Sequence, residues 1–183
     1  KVRAGVDDLR AREGRTDLPF YLVGHSAGGH LAHWAAARRR LSPASELYRP
    51  SPLPLRGIVN LPGRMDMAAG IEAYEAMCRG SVVQELLGGG PHAVPNRYRE
   101  SSPMSLLPLE VPQVMIWGDH EDFVPTPLVQ SYVRAGTQAG DDVELITVRK
   151  AGHFEPASPY SAPWPTVLGA VHRLMGLSSV TNR

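Results

Sequence analysis

Short runs of apolar residues recur along this chain, and the segments between them have apolar residues at the spacing of a helix. The run at residues 20–23 is too short for a helix and has no polar alternation, so it predicts a strand buried on both faces. Residues 57–61 predict a second buried strand, and residues 113–117 and 142–148 predict a third and a fourth. Glycine and proline fall between these runs, which indicates separate elements joined by loops.

Helices are predicted between the strands, where apolar residues recur at helical spacing or strong helix formers dominate. They fall at residues 2–12, 27–40, 67–79, 81–87, 127–139 and 163–175. The alternation of strands and helices predicts an α/β fold, in which a mostly parallel sheet is flanked by helices. A chain of 183 residues has the usual size of one domain, so we expect a single domain over residues 1–183.

Composition and charge exclude several functions. The net charge is +1, with 19 basic and 18 acidic residues, and aromatic residues make up only 7% of the chain. Neither value is typical of a nucleic-acid-binding protein. A single cysteine, Cys78, rules out an internal disulfide and a cysteine-rich metal site, and no apolar run is long enough to span a bilayer. We therefore expect no nucleic-acid partner, membrane span, metal or cofactor. The expected location is the cytoplasm, and because the chain begins at Lys1 a leader peptide is left open.

Residues 24–28, of sequence GHSAG, lie between the first predicted strand and the helix that follows it. The pattern G-x-S-x-G in this setting is typical of a nucleophile elbow. We expect the turn to strain the backbone of Ser26 and to lift its hydroxyl above the sheet. Glycine is expected at Gly24 and Gly28 because a side chain there would collide with neighbouring elements. The Ala27 N–H, at the positive end of the helix, is expected to be one oxyanion donor.

A serine nucleophile needs a base, and the base needs an acid that orients it. In this kind of fold the acid and then the histidine follow the serine along the chain, at the ends of later strands. Of the seven histidines, only His153 and His172 follow a plausible acid, and His172 lies inside the last predicted helix. His153 follows the fourth predicted strand and is therefore the expected base. His30 and His33 are expected to pack or to lie at the surface, because their spacing lacks the glutamate and third ligand of a zinc site.

The acid is sought in residues 118–125, of sequence GDHEDFVP, which follow the third predicted strand. This segment resembles the G-x-x-D-x-x-V-P segment of many α/β-hydrolases. The resemblance implies that Glu121 is the acid, with glutamate where aspartate is usual. Asp122 is the alternate acid if the loop shifts by one residue, and Asp119 is a third choice.

The chain as a whole resembles the α/β-hydrolase superfamily, in the branch of bacterial esterase/lipase-like enzymes related to kynurenine formamidase. The segments that carry the resemblance are residues 24–32, Tyr98, residues 102–103, 118–125, 152–154 and 161–165. It implies acyl transfer to water, in which Ser26 attacks a carbonyl carbon, His153 moves the proton and Glu121 holds the imidazole. The implied substrate is a small or medium acyl ester.

Three alternatives stay open at this point. One is an amide hydrolase of the kynurenine formamidase type, and another is a peptidase like the catalytic domains of prolyl oligopeptidases. The third is a non-catalytic binding protein that kept the fold. The small-molecule partner is accordingly expected to be an ester or an amide.

The chain departs from the superfamily pattern before the elbow. A Gly-rich loop with a His-Gly-Gly core supplies the second oxyanion donor in those enzymes, and the 25 residues before Ser26 contain no such loop. We therefore expect this chain to be the C-terminal portion of a hydrolase. Its expected partner is the N-terminal portion of the same protein, as a separate chain or as further residues.

Residues 62–110 occupy the usual place of a lid or cap over such a site. They contain four of the six methionines, Met65, Met67, Met77 and Met104. Flexible methionine side chains suit an apolar acyl pocket, and they equally suit plain filling of the core.

Overall fold

A computed structural model describes residues 18–177 and contains one sheet of four strands. The strands are β1 (Phe20–His25), β2 (Leu55–Leu61), β3 (Gln113–Gly118) and β4 (Val143–Val148). Their order in the sheet is β1-β2-β3-β4, and every neighbouring pair is parallel. The expected α/β fold with a parallel sheet is confirmed.

Six α-helices lie within residues 18–177. They are α1 (Ala27–Ala37), α2 (Ile71–Cys78), α3 (Val82–Leu87), α4 (Pro95–Ser101), α5 (Thr126–Gln138) and α6 (Trp164–Leu174). Five of them confirm sequence-predicted helices, whereas α4 was not predicted. The helix expected at residues 2–12 lies outside the described residues. None of the described helices has the length and hydropathy needed to cross a membrane.

The helices cover both faces of the sheet. On β3, Met115 and Trp117 point to one face and pack against α5, while Val114 and Ile116 point to the other and pack against α6. Helix α1 covers the first face further along the sheet, around Ile58 of β2. Side chains alternate in this way because successive residues of a strand point to opposite faces. The core is therefore two apolar layers, one on each side of β2 and β3.

Strand β1 is less buried than its sequence predicts. Phe20, Tyr21 and Leu22 are half-buried, and Val23 is 50% exposed. The expectation of burial on both faces was wrong. Among the described residues β1 pairs only with β2, so it is an edge strand and one side of it lacks a neighbour.

Residues 62–110, here called the insertion, connect β2 to β3 and carry α2, α3 and α4. The insertion has a small apolar core of its own, made by Met67, Ile71, Val83 and Tyr98. Two hydrogen bonds close its base: the Met67 N–H donates to Ser102 Oγ at 2.9 Å, and the Met104 N–H donates to the Met65 carbonyl at 2.9 Å. These bonds therefore bring the two ends of residues 67–102 close together, before the chain runs on to the start of β3.

Candidate active site

Ser26 occupies the turn between β1, which ends at His25, and α1, which begins at Ala27. Its backbone has φ 55° and ψ −121°, a combination that non-glycine residues rarely adopt and that costs roughly 1–3 kcal/mol. The Ser26 N–H donates to the carbonyl of Leu61, at the end of β2, at 2.9 Å. This bond to the neighbouring strand helps to hold the strained turn that the sequence predicts.

The glycines of the turn differ in why they are needed. A Cβ on Gly24 would lie 2.2 Å from the Gly28 carbonyl oxygen, so only glycine fits there, as expected. At Gly28 the expectation was wrong, because apart from its chain neighbours and the nearby backbone of its own helix no described atom lies within 4 Å of a Cβ built there. The crowded helix position is Gly29, whose Cβ would lie 2.7 Å from Asn60 Oδ1. Gly29 faces β2, and Gly28 does not.

Glu121 and His153 form a buried pair. The His153 Nδ1 lies 2.9 Å from Oε2 and 3.0 Å from Oε1 of Glu121, and their side chains are 4% and 0% exposed. The backbone N–H groups of Phe123 and Val124 each donate to Glu121 Oε1 at 2.8 Å. A carboxylate only accepts, so Nδ1 is the donor and the neutral ring keeps its lone pair on Nε2. That is the tautomer a general base needs.

The alternate acids and the alternate base lie elsewhere. Asp122 is exposed, and Asp119 Oδ1 instead accepts the Ala151 N–H at 3.3 Å. His172 lies near the end of α6. The structure therefore brings Glu121 to His153, and it does not bring Asp122 or Asp119 there.

The loop that carries His153 is joined to the elbow through His25, the residue before Ser26. The His25 Nε2 donates to the His153 carbonyl at 2.8 Å, and the two rings lie 4.8 Å apart. The Phe123 ring stacks on the His153 imidazole at 4.5 Å. Within residues 18–177 no hydrogen bond joins Ser26 Oγ to His153, and such bonds are often long before substrate binds. The proton transfer between these two residues stays a prediction.

A cavity of about 420 Å³ opens beside Ser26 and Ala27. Its wall is largely apolar and comes from α1 and from the insertion. The polar side chains in the wall are Ser26, His30, Arg64 and Tyr74. The cavity therefore offers room for an apolar group next to the expected nucleophile.

A family comparison identifies the chain. The model of the BD-FAE family, an α/β-hydrolase-type esterase family, matches residues 15–133, a stretch that includes Ser26 and Glu121. The chain belongs to the BD-FAE family. No curated protein matches it.

Solved structures with the fold of this BD-FAE chain include an esterase from the Planctomycetes species Thermogutta terrifontis with bound butyrate. The two are 18% identical with a TM-score of 0.61, over 89% of this chain and 58% of the esterase. A truncated carbohydrate esterase from gut microbiota is 19% identical with a TM-score of 0.66, over 83% and 59%. A puromycin hydrolase is 16% identical with a TM-score of 0.68, over 98% and 26%. At these identities the likeness shows the α/β-hydrolase fold, and the chain spans just over half of the two esterases.

The methionines of the insertion do not all reach the cavity of the BD-FAE domain. Met67 lines it, whereas Met65 and Met104 pack in the core near Trp117. Met77 is 36% exposed and lines a separate cavity of about 210 Å³. Core filling therefore accounts for Met65 and Met104, and Met67 both lines the cavity and packs in the core of the insertion.

Sequence reasoning missed Arg64 and Tyr74. Arg64 is only 6% exposed, its Nη2 donates to the carbonyls of Asp66 and Ala69, and its guanidinium carbon lies 4.6 Å from the centre of the Tyr74 ring. Burial lowers the pKa of Arg64 and raises that of Tyr74. The residues that contact Arg64 form no recognisable sequence motif, so no sequence signal identified Arg64 or Tyr74. His33, by contrast, packs in the core as expected, with its ring edge against Tyr132.

Proposed function

We propose that this protein is a serine hydrolase that cleaves carboxylic esters, with Ser26 as nucleophile, His153 as general base and Glu121 as the orienting acid. The buried Glu121–His153 pair is the observation that carries the proposal, because it leaves the imidazole with an accepting Nε2 beside the elbow. Membership in an esterase family supports the same reaction.

The reaction runs in two acyl transfers. Ser26 Oγ attacks the carbonyl carbon while its proton moves to His153 Nε2, and the leaving alcohol takes that proton as its bond to the acyl group breaks. Water then attacks the acyl-enzyme by the same path and releases the acid and Ser26. The Ala27 N–H, at the start of α1, donates to the oxyanion.

The substrate is proposed to be an ester with a small or medium acyl group. The cavity beside Ser26 supports this, because its volume of about 420 Å³ and its apolar wall suit a short hydrocarbon chain. The Thermogutta terrifontis esterase was solved with butyrate bound, an acyl group of the size we propose here.

A fluorophosphonate probe tests the nucleophile in the full-length protein that contains this chain. We expect one covalent adduct, mapped to Ser26 by peptide mass spectrometry, and none on Ser26→Ala. Ser105→Ala, which removes an exposed hydroxyl outside the site, is expected to be labelled like the wild type. A folded wild-type protein with Ser26 unlabelled would refute the proposal and favour the non-catalytic binding protein.

The reaction class is tested by steady-state kinetics on p-nitrophenyl acetate, butyrate and octanoate beside formylkynurenine. We expect the highest kcat/KM on acetate or butyrate. A strong preference for formylkynurenine would replace the esterase with the amide hydrolase, since both use the same three residues.

A further inference from the structure

His30 lies in the wall of the cavity, one helical turn after Ser26. Residues four apart on a helix share a face, with Cβ atoms roughly 6 Å apart. The imidazole of His30 therefore stands beside the path that a substrate takes to Ser26. The reaction proposed above does not use it.

The hydrogen bonds of His30 fix its tautomer. Its Nδ1 lies 2.9 Å from the carbonyl oxygen of Arg64, and a carbonyl oxygen only accepts, so Nδ1 carries the proton. Burial lowers the pKa of His30, the bond to the Arg64 carbonyl opposes that shift, and the positive charge of Arg64 adds to it. The ring is therefore neutral at neutral pH, with its lone pair on Nε2.

That lone pair is available to a ligand. Within residues 18–177 no hydrogen bond joins His30 Nε2 to another group. Around it the wall is mostly apolar. The nearby Arg64 Nη2 donates to two carbonyls, whereas Arg64 Nε and Nη1 are buried without a partner among the described residues. An acceptor that loses its water to an apolar substrate is left unpaired, which is costly.

We propose that His30 is a specificity-determining residue, whose Nε2 accepts a hydrogen bond from a hydroxyl or N–H group of the substrate bound in the cavity beside Ser26. This rests on the proposed function and narrows it. The favoured substrates are esters of polyols or hydroxy-substituted acyl groups, and plain alkyl esters of the same size are poorer substrates.

Matched esters that exchange a hydroxyl for a methyl group test the proposal in the full-length protein. One pair, 3-hydroxypropyl butyrate and butyl butyrate, places the donor on the alcohol. The other, methyl 6-hydroxyhexanoate and methyl heptanoate, places it on the acyl chain. Acid release is followed in a pH-stat, and the measured quantity is the ratio of kcat/KM within each pair.

We expect His30→Phe to lower this ratio at least about tenfold in one of the two pairs, because the acceptor is lost while the ring is kept. His30→Gln, which places an amide oxygen near the position of Nε2, is expected to restore part of it. Val82→Ala alters the same wall without a polar atom, so we expect it to shift both esters of a pair alike.

The outcomes separate the two proposals. Ester hydrolysis with the same ratio in wild type and His30→Phe refutes the role of His30 and leaves the esterase intact. No hydrolysis of any ester, with Ser26 unreactive to fluorophosphonate, refutes the esterase itself.

A second measurement needs neither turnover nor the Phe variant. Two-bond ¹H–¹⁵N spectra of the imidazoles, assigned with His30→Gln, report which nitrogen carries the proton. We expect the Nδ1–H tautomer for His30 at pH 7, and an Nε2–H tautomer would overturn the proposal.

Discussion

Glu121 reaches the base although it is one methylene longer than the usual aspartate. Its carboxylate turns back over its own loop, where the N–H groups of Phe123 and Val124 hold Oε1. The same carboxylate meets His153 Nδ1 with both oxygens. The longer side chain is therefore held within its own loop while it meets the imidazole.

Substitutions of Glu121 and Asp122 should show which of the two carboxylates orients His153. Glu121→Gln presents an amide to Nδ1, which no longer fixes the Nδ1–H tautomer, so we expect kcat on p-nitrophenyl butyrate to fall by about 10³–10⁴. Asp122→Asn, at an exposed position, is expected to stay within about twofold of the wild type. Equal losses in the two variants would contradict the assignment.

The two glycines that flank Ser26, Gly24 and Gly28, should respond differently to replacement by alanine. In Gly24→Ala the new methyl group meets the Gly28 carbonyl, which the helix holds in place, and we expect the free energy of unfolding to fall by about 3 kcal/mol. Gly28→Ala is expected to change it by less than about 1 kcal/mol. Urea unfolding of both variants checks this, and a larger loss in Gly28→Ala would be the opposite result.

At the scale of elements, local pattern predicted the strands and five helices because each has its own periodicity or capping signal. Helix α4 was not predicted because its sequence, PNRYRES, has no apolar repeat. The helix depends instead on Tyr98, which packs into the core of the insertion. The burial of β1 was overestimated because an apolar run does not show how many strands lie beside it. The expected elbow and acid came from motifs and the expected base from its order along the chain, whereas the contact between Arg64 and Tyr74 depends on how the insertion folds.

Helix α1 also makes the stability of the fold depend on pH. His33, fully buried on this helix, has its pKa lowered to about 4 by burial, while the unfolded chain titrates near 6.5. Above pH 6.5 both states are neutral and the stability is complete. As the pH falls toward 4 only the unfolded state gains the proton, so the free energy of unfolding drops by about 3 kcal/mol.

This dependence is measured by urea unfolding at pH 7, 6 and 5. In His33→Gln the group no longer titrates, so the decline with falling pH is expected to be shallower than in the wild type, whatever the absolute stability of the variant. Parallel curves for the two proteins would show that His33 is not responsible.

Across the whole molecule, the parallel sheet gathers the expected site at one edge. Ser26 follows β1, Glu121 follows β3 and His153 follows β4, all at the carboxyl ends of the strands. The insertion begins after β2, at the same edge, and supplies much of the wall of the cavity. The reaction is thus expected to depend on the segments that follow β1, β3 and β4, and the fit of the acyl chain to depend largely on the insertion.

A larger side chain on the insertion side of the cavity should change the selectivity between acyl chains without changing the reaction. Val82 lines the cavity and is 43% exposed, so Val82→Trp adds bulk to the wall without disturbing the core. We expect the ratio of kcat/KM for p-nitrophenyl octanoate to that for acetate to fall at least about tenfold. Leu168→Trp, at a comparably exposed position on α6, is the control and should leave the ratio unchanged. An equal loss of kcat/KM on both esters in Val82→Trp would contradict the expectation that the insertion controls acyl-chain selectivity.

The two hydrogen bonds that close the base of the insertion bring the ends of residues 68–101 together, so we expect that this stretch can be exchanged. Met67 and Ser102 are natural splice points, because a replacement of any length that starts and stops there spans the same short gap. The hydrogen bond between Met104 and Met65 lies outside the replaced stretch, so we expect it to keep the two ends of the replacement close together. We expect that exchanging this stretch would change substrate selectivity while Ser26, Glu121 and His153 stay in place.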